Sequence, residues 1–548
     1  MRSSNSGSSR RGFLQKTLTA SAAVALRPAM SAAREVSSAT KSPAADVKPF
    51  ELEEVTIAEL QDGMKSGKFT AMSLVEKYTG RIEHIDKRTV NAIIQLNPDA
   101  VSIAQDLDRE RKAKGARGPL HGIPVLIKDN IATADRMETT AGSLALVGSK
   151  PSRDSMVAQR LRAAGAVILG KTNLSEWANI RSSHSTSGWS GRGGLTKNPY
   201  ALDRNPCGSS SGTGAGVSAN LAAIGIGTET DGSIVCPSSL NGLAGIKPTV
   251  GLVSRAGIIP ISHSQDTAGP MCRTVRDAAT LLGVLTGADP ADEATAASAA
   301  RAQTNYEQYC DPNGLQGARI GVARKFFGFS DAVDALMEQS IEVMRKQGAV
   351  VVDPADIPTL GKFDDSEMTV FMYELKADLN AYLGRLGPSA PVKTLKDIIE
   401  FNDRNREKEM PYFGQDLFLK SQAKGPLTEK EYLDAVAKNR QLARTEGIDA
   451  VMDKHKLDAL VAPSGGPAWL TDLITGDHFG GGSSNAAAVA GYPNINVTAG
   501  NIFGLPVGIS FFGRAWSEPT LIKIAYAFEQ ATKAREAPKF RASIHMAS

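Results

Sequence analysis

The stretch 227-GTETDGSIVCP-237 decides how this chain is read. The small apolar run Leu221 to Ile226 leads into it, and its glycines and short polar residues bring the backbone round a turn with Ser233 at the tip. Gly232 is small enough to let the backbone amides beside it face a bound group. A serine hydroxyl is a weak nucleophile that becomes reactive only with a base in hydrogen-bond reach. Ser233 therefore calls for a partner from elsewhere in the chain.

Two other segments supply what a histidine-free acyl-transfer site needs. In Gly122-Ile-Pro-Val-Leu-Ile-Lys-Asp-Asn130 an apolar strand delivers Lys128 at its end, and Cys207-Gly-Ser-Ser-Ser-Gly-Thr-Gly214 is a serine and glycine loop. Free lysine, with a pKa of about 10.4, is protonated at neutral pH. Burial disfavours the charged form and yields an amine able to accept a proton. Asp129 would favour the cation if it faced that amine, so it is expected to point elsewhere. A hydroxyl can donate and accept at once, which suits a serine standing between Ser233 and Lys128.

Taken together, Pro119-Leu-His-Gly-Ile-Pro-Val125 with Lys128-Asp-Asn130, Gly170-Lys-Thr-Asn173, Gly208-Ser-Ser-Ser-Gly212, Gly227-Thr-Glu-Thr-Asp-Gly-Ser-Ile234, Gly245-Ile-Lys-Pro-Thr249 and Asp266-Thr-Ala-Gly-Pro270 form an ordered set. From about residue 54 to the C-terminus the chain resembles the amidase signature family, serine hydrolases with a Ser-cisSer-Lys triad. The resemblance implies an α/β amidase signature fold, a mixed central β-sheet covered by helices on both faces. It places the nucleophile on Ser233, the bridging cis-serine on Ser209 and the base on Lys128. It places an oxyanion hole on the backbone amides of Thr230, Asp231, Gly232 and Ser233. It puts the backbone near Ser183 against the substrate's amide nitrogen, within a pocket wall from Asn179 to Trp189. The implied reaction hydrolyses a primary carboxamide to carboxylate and ammonia through an acyl-enzyme, without metal or organic cofactor.

Many members of the family read Gly-Gly-Ser-Ile-Arg where this chain has Asp231-Gly-Ser-Ile-Val235. That form, with Cys236-Pro237 following, looks most like bacterial peptide amidases, which remove the C-terminal amide of peptides. Ser185-Thr-Ser-Gly-Trp-Ser-Gly-Arg192 and Phe511-Phe-Gly-Arg-Ala-Trp-Ser-Glu-Pro519 strengthen the likeness. The alternatives are an amidase for small aryl or aliphatic amides, a tRNA-dependent amidotransferase of the A type, and an inactive binding protein on the same scaffold.

Two motifs invite other readings. Gly165-Ala-Val-Ile-Leu-Gly-Lys-Thr172 satisfies the P-loop pattern, but its inner residues are those of a strand rather than of an irregular phosphate cradle. His121 precedes a Gly-Ile-Pro turn with no triad partner in sequence and is read as structural. The four cysteines, Cys207, Cys236, Cys272 and Cys310, have no CxxC or metal spacing and are expected to be buried free thiols.

The chain has 548 residues, 42% of them hydrophobic, enough for a large core. Its formal charge is +4, of which Arg2, Arg10, Arg11, Lys16 and Arg27 contribute five, so the rest of the chain stands at −1. Such a balance gives no footprint for nucleic acid. Ser9-Arg-Arg-Gly-Phe-Leu-Gln-Lys16, the alanine-rich Thr17 to Leu26 and the small residues 31 to 33 read as a twin-arginine export signal. Its apolar part is shorter than the roughly 20 residues of a membrane span. The expected organisation is a signal peptide at 1–33, a linker at 34–50, and an amidase domain at 51–548 with a helical insertion near 325–445. The expected product is a soluble periplasmic or secreted enzyme acting on a small-molecule or peptide amide, with no stable membrane association.

Overall fold

The apolar runs around Val125, Ile168 and Ile226 lie side by side as one end of a sheet. In the computed structural model, which describes residues 47–387 and 390–544, eleven strands form a mixed central sheet and two form a small hairpin. In chain order they are β1 (Ile93–Leu96), β2 (Pro124–Lys128), β3 (Val167–Thr172), the hairpin β4 (Trp189–Ser190) and β5 (Gly194–Leu195), β6 (Ile224–Glu229), β7 (Ala244–Lys247), β8 (Thr267–Cys272), β9 (Arg319–Val322), β10 (Val350–Val352), β11 (Ala459–Pro463), β12 (Asn494–Ile502) and β13 (Leu505–Phe512). The sheet order is β1-β3-β2-β6-β8-β7-β12-β13-β11-β9-β10. β2 runs parallel to β3 and β6, and β9 runs parallel to β10 and β11, while the remaining pairs are antiparallel.

Side chains alternate across a strand, and β11 shows that both of its faces are covered. Ala459 and Val461 join the large cluster that contains Leu521, Ile522 and Phe528 of helix Glu518–Thr532. Leu460 and Ala462 join a separate cluster with Val451, Met452 and the alanines of helix Ser484–Ala490. The sheet is thus flanked by helices, as the fold class requires. β2, β3 and β6 are buried along their whole length, as expected of parallel strands covered on both faces.

The stretch 325–445 is not wholly helical. β10, the three valines 350–352, adds an edge strand parallel to β9, where β-branched residues fit the pleat. Helices Asp364–Gly384, Leu395–Arg404, Asp416–Gln422 and Lys430–Asn439 follow it. The first three bring Phe371, Leu375, Ile398 and Phe418 into one apolar cluster with Trp177, Ile180, Ile259 and Ile261, and so form a cap over the loops that follow β3 and β7. The expected export signal at 1–33 and most of the expected linker lie outside the described residues. No described helix is long and apolar enough to cross a membrane.

Candidate active site

Strand β2 is buried throughout and ends on Lys128, whose side chain is fully enclosed. Its Nζ lies 2.7 Å from Ser209 Oγ, 2.9 Å from Thr228 Oγ1 and 3.2 Å from the Thr228 carbonyl. Asn130 Nδ2 donates to the same Thr228 hydroxyl at 2.9 Å, fixing it from the other side. Burial pulls the Lys128 ammonium down to about 7, against the opposing pull of the Asp266 and Glu229 carboxylates. Asp129 points away, as expected: its Oδ2 takes hydrogen bonds from Thr140 and, at 3.4 Å, from Arg192.

The peptide bond Gly208–Ser209 is cis, as the family resemblance implies. A side chain at Gly208 would collide with Ser175 Oγ at 2.2 Å, so only glycine fits there. The Ser210 amide donates to the Ser233 carbonyl at 3.3 Å, which ties this loop to the turn that follows β6.

That turn is organised by Glu229, the last residue of β6. Its Oε2 accepts from the amides of Ile234 at 2.7 Å and Val235 at 3.0 Å. Among the described residues, the four amides before them, those of Thr230, Asp231, Gly232 and Ser233, donate to no protein acceptor. Most backbone N–H groups in a folded chain are paired, so four consecutive amides without a protein acceptor set this turn apart, and such a run of donors can receive an anion. Gly232 holds φ +76, and a Cβ there would meet Ser484 Oγ at 3.1 Å. The Thr230 hydroxyl donates to Asp266 at 2.6 Å, and the Gln265 amide holds the Thr230 carbonyl at 3.2 Å. The turn is therefore pinned from the segment leading into β8 as well.

The opposite wall carries backbone strain. Trp177, Ala178 and Asn179 have φ of 50, 54 and 70, three successive residues in the left-handed region without a glycine. Each costs about 1–2 kcal/mol relative to ordinary backbone. The Trp177 amide bonded to Ala141 at 2.9 Å and the Trp177 ring packed edge-on against Phe418 hold them there. Strain of this kind persists where surrounding structure enforces it, and it gathers at active sites. Ala178 lines a small enclosed cavity with Ser209, Thr228, Thr230, Asn130 and Asp266.

Ser183 lies in the stretch that follows the left-handed run. It is exposed, and its amide and hydroxyl are committed to Asp416 at 3.0 and 2.8 Å. Ala178, within that run, lines the cavity beside Ser209. The cysteine expectation fails in part: Cys207 and Cys236 form a disulfide, while Cys272 and Cys310 are free. Their 29-residue separation hides a Cα–Cα distance of 6.0 Å, since the loop and the turn meet at the site.

The other two motifs are structural. The Gly-Lys-Thr of the P-loop-like stretch lies inside β3, and Lys171 is buried with its Nζ 2.6 Å from the Ile131 carbonyl and 2.8 Å from Thr139 Oγ1. His121 is buried, accepting from the Arg117 amide at 3.3 Å and bonding the Leu107 carbonyl at 2.9 Å.

Sequence reasoning missed Glu229, Thr228, Asn130 and Ala178. A signal existed for the first: a lone carboxylate directly before a turn of free amides is the natural acceptor for the amides beyond it. Asp231 is held up to about 6 by burial, with the Glu229 charge adding to the shift.

The profile of the family described as Amidase matches residues 73–522. The chain belongs to the amidase signature family. This amidase is 44% identical over 500 residues to an Arabidopsis thaliana protein described as a probable amidase, a match covering 90% of this chain and 92% of that one. It is 50% identical to the peptide amidase of Stenotrophomonas maltophilia, whose crystal structure it follows with a TM-score of 0.85 over 90% of this chain and 100% of that one. It is 32% identical over 510 residues to a glutamyl-tRNA(Gln) amidotransferase component of Thermoanaerobacter pseudethanolicus, covering 89% of this chain and 99% of that one. Membership and these likenesses make the chain an amide-hydrolysing enzyme.

Proposed function

We propose that this amidase hydrolyses primary carboxamides of the kind that end an amidated peptide, with Ser233 as nucleophile, Ser209 as proton bridge and Lys128 as base. The observation that carries this reading is the buried amine of Lys128, 2.7 Å from Ser209 Oγ, on a loop tied directly to the turn of Ser233.

In its neutral form Lys128 directs two hydrogens at the carbonyl and hydroxyl of Thr228 and presents its lone pair to the Ser209 hydroxyl. Ser209 passes its proton to Nζ and takes the proton of Ser233 as Oγ bonds to the carboxamide carbon. The oxyanion receives the free amides of residues 230–233, where a single good donor is worth about 3 kcal/mol in the transition state. The proton on Lys128 returns through Ser209 to the leaving nitrogen, the C–N bond breaks and ammonia departs. Water, deprotonated along the same route, then hydrolyses the ester to a carboxylate and restores Ser233.

The peptide-amide substrate is supported by the 50% identity to a peptide amidase and by Asp231-Gly-Ser-Ile-Val235. The identity to the tRNA-dependent amidotransferase is lower, at 32%. We further propose that the enzyme works outside the cytoplasm, supported by the twin-arginine sequence of residues 9–33 and by a disulfide that suits an oxidising compartment.

The test is ammonia release from amidated dipeptides, from acetamide and from benzamide, by the native enzyme, Ser233→Ala and Lys128→Ala. Native turnover on dipeptide amides, lost in both variants, is the expected result. Undiminished turnover in Ser233→Ala overturns the nucleophile, and faster turnover of the small amides moves the substrate class.

A further inference from the structure

Three ties run between the loop that carries Ser209 and the turn that carries Ser233. The first is the hydrogen bond from the Ser210 amide to the Ser233 carbonyl. The second is the buried side chain of Asn241, whose Nδ2 donates to the Pro206 carbonyl at 2.9 Å and to the Pro237 carbonyl at 2.7 Å. The third is covalent: the disulfide between Cys207 and Cys236, each the immediate neighbour of one of those prolines.

Cys207 stands two residues before Ser209, and Cys236 three residues after Ser233. Both half-cystines are 5% exposed, within an apolar cluster of Tyr200, Leu240, Ala468 and Leu505. Their backbones are rigidly held. The Cys207 amide donates to Asn205 Oδ1 at 2.8 Å, its carbonyl accepts from Ser211 Oγ at 2.6 Å, and the Cys236 amide donates to the Gly232 carbonyl at 2.8 Å. A bond between two such anchors transmits position along very short lengths of chain to both hydroxyls.

The strand that carries Lys128 reaches Ser209 directly but, among the described residues, makes no hydrogen bond to the turn of Ser233. The Ser210 hydroxyl also donates to the Thr228 carbonyl at 3.0 Å and accepts from the Thr228 amide at 3.2 Å on β6. The distance between the two serine hydroxyls therefore rests on that pair of bonds and on the cross-ties, and proton transfer between them is the step most sensitive to that distance. We infer that Cys207 and Cys236 are positioning residues for the Ser233–Ser209 proton transfer, so that full amidase turnover requires their disulfide. This inference rests on the triad assignment given above.

Breaking the bond with dithiothreitol transfers two electrons and two protons, leaving two thiols and cyclic oxidised dithiothreitol. The full-length oxidised enzyme, the same protein reduced under anaerobic conditions, and Cys207→Ala/Cys236→Ala are compared for kcat, KM and pH profile on a dipeptide amide, with near-ultraviolet circular dichroism to follow packing. Loss of the disulfide is expected to lower kcat by about ten- to a hundred-fold, with KM changed less than three-fold. The rising limb of the pH profile is expected to stay in place, since burial and the Asp266 and Glu229 carboxylates, which set where Lys128 titrates, do not depend on the disulfide. Reoxidation restores the reduced protein, and Asn241→Ala costs more turnover without the disulfide than with it, because both ties hold the same gap. A folded, disulfide-free enzyme with kcat within two-fold of native overturns the inference, as does a loss that appears only in KM or only with loss of the circular dichroism signal. If dithiothreitol fails to reach the buried bond the double variant decides, and if that variant fails to fold the reduced native protein decides. Native turnover in Ser233→Ala would instead strike the triad itself, so the two failures are told apart.

Discussion

Lys128 and Lys171 stand on neighbouring parallel strands, with Ile127 opposite Lys171 and Lys128 opposite Thr172. Both are fully buried, and burial draws one down to about 7 and the other to about 8. Both have a backbone carbonyl and a threonine hydroxyl within reach. The difference is the third partner. Carboxylates favour the cation of both, Asp266 for Lys128 and Asp129 for Lys171, but Lys128 has in addition Ser209 Oγ, a hydroxyl that can hand over a proton. A hydroxyl in a chain of hydroxyls gives an amine something to exchange. Burial alone does not make a base.

The largest effect expected from breaking this contrast is at Lys128. Lys128→Met removes the base and should lower turnover of peptide amides by about 10²–10⁴-fold. The fold should not suffer in proportion. Lys128 has a folded pKa drawn down from 10.5 to about 7, so the unfolded chain binds more protons between those values. Its contribution to stability therefore becomes steadily more unfavourable as pH falls from about 10.5 to about 7. Methionine relieves that cost, and the melting temperature at pH 7 should be equal to or above native. A variant that loses activity together with several degrees of melting temperature would class Lys128 with Lys171.

The next effect is in pH dependence. Activity needs neutral Lys128, so kcat/KM should rise with pH through about 7 and level off above it, reaching about a tenth of the plateau one unit below the midpoint. Asp266 is one of two carboxylates that favour the ammonium. Asp266→Asn should therefore move the limb to lower pH, by on the order of one unit, visible as a higher fraction of plateau activity at pH 6. A limb that moves upward, or one centred near 8 and removed by Lys171→Met, would assign the titration to the wrong lysine.

Much of this contrast was legible in sequence, and the reason it was incomplete is physical. An apolar run ending in lysine predicts a buried strand-end amine, and β2 is that strand. The small residues from 208 to 214 and from 227 to 234 predict two tight turns, because only short side chains allow backbones so close, and Gly208 against Ser175 shows how close. The P-loop-like stretch was separable from a true one because Ala166 to Leu169 have the side chains of a strand. What local pattern could not express was which loop meets which. The disulfide joins residues 29 apart whose proximity follows from β6 returning beside the Ser209 loop, and Ala178 comes to the cavity through a left-handed turn that no glycine advertises. The three valines of β10 were hidden among helical neighbours because three residues are too few to set a period.

The smallest effect on turnover is expected at Lys171, and it sharpens the comparison most. Lys171 is the leading charge that offsets the burial of Asp129, with Arg192 second. Replacing it with methionine relieves one buried cation but leaves a fully buried carboxylate whose nearest guanidinium contact, Arg192, is at 3.4 Å. Removing a charge that offsets a buried one, together with the donor to two buried oxygens, costs on the order of 1–3 kcal/mol. Lys171→Met should therefore lower the melting temperature clearly while the folded fraction turns over within about three-fold of native, with its limb still near 7. Asp129→Asn added to Lys171→Met should recover part of the lost stability, since it removes the stranded charge. If the double variant is no more stable than the single one, the carbonyl of Ile131 and the hydroxyl of Thr139, deprived of their donor, account for the loss. In that case Lys171 serves the backbone rather than the charge of its neighbour, and the contrast with Lys128 is one of hydrogen bonding alone.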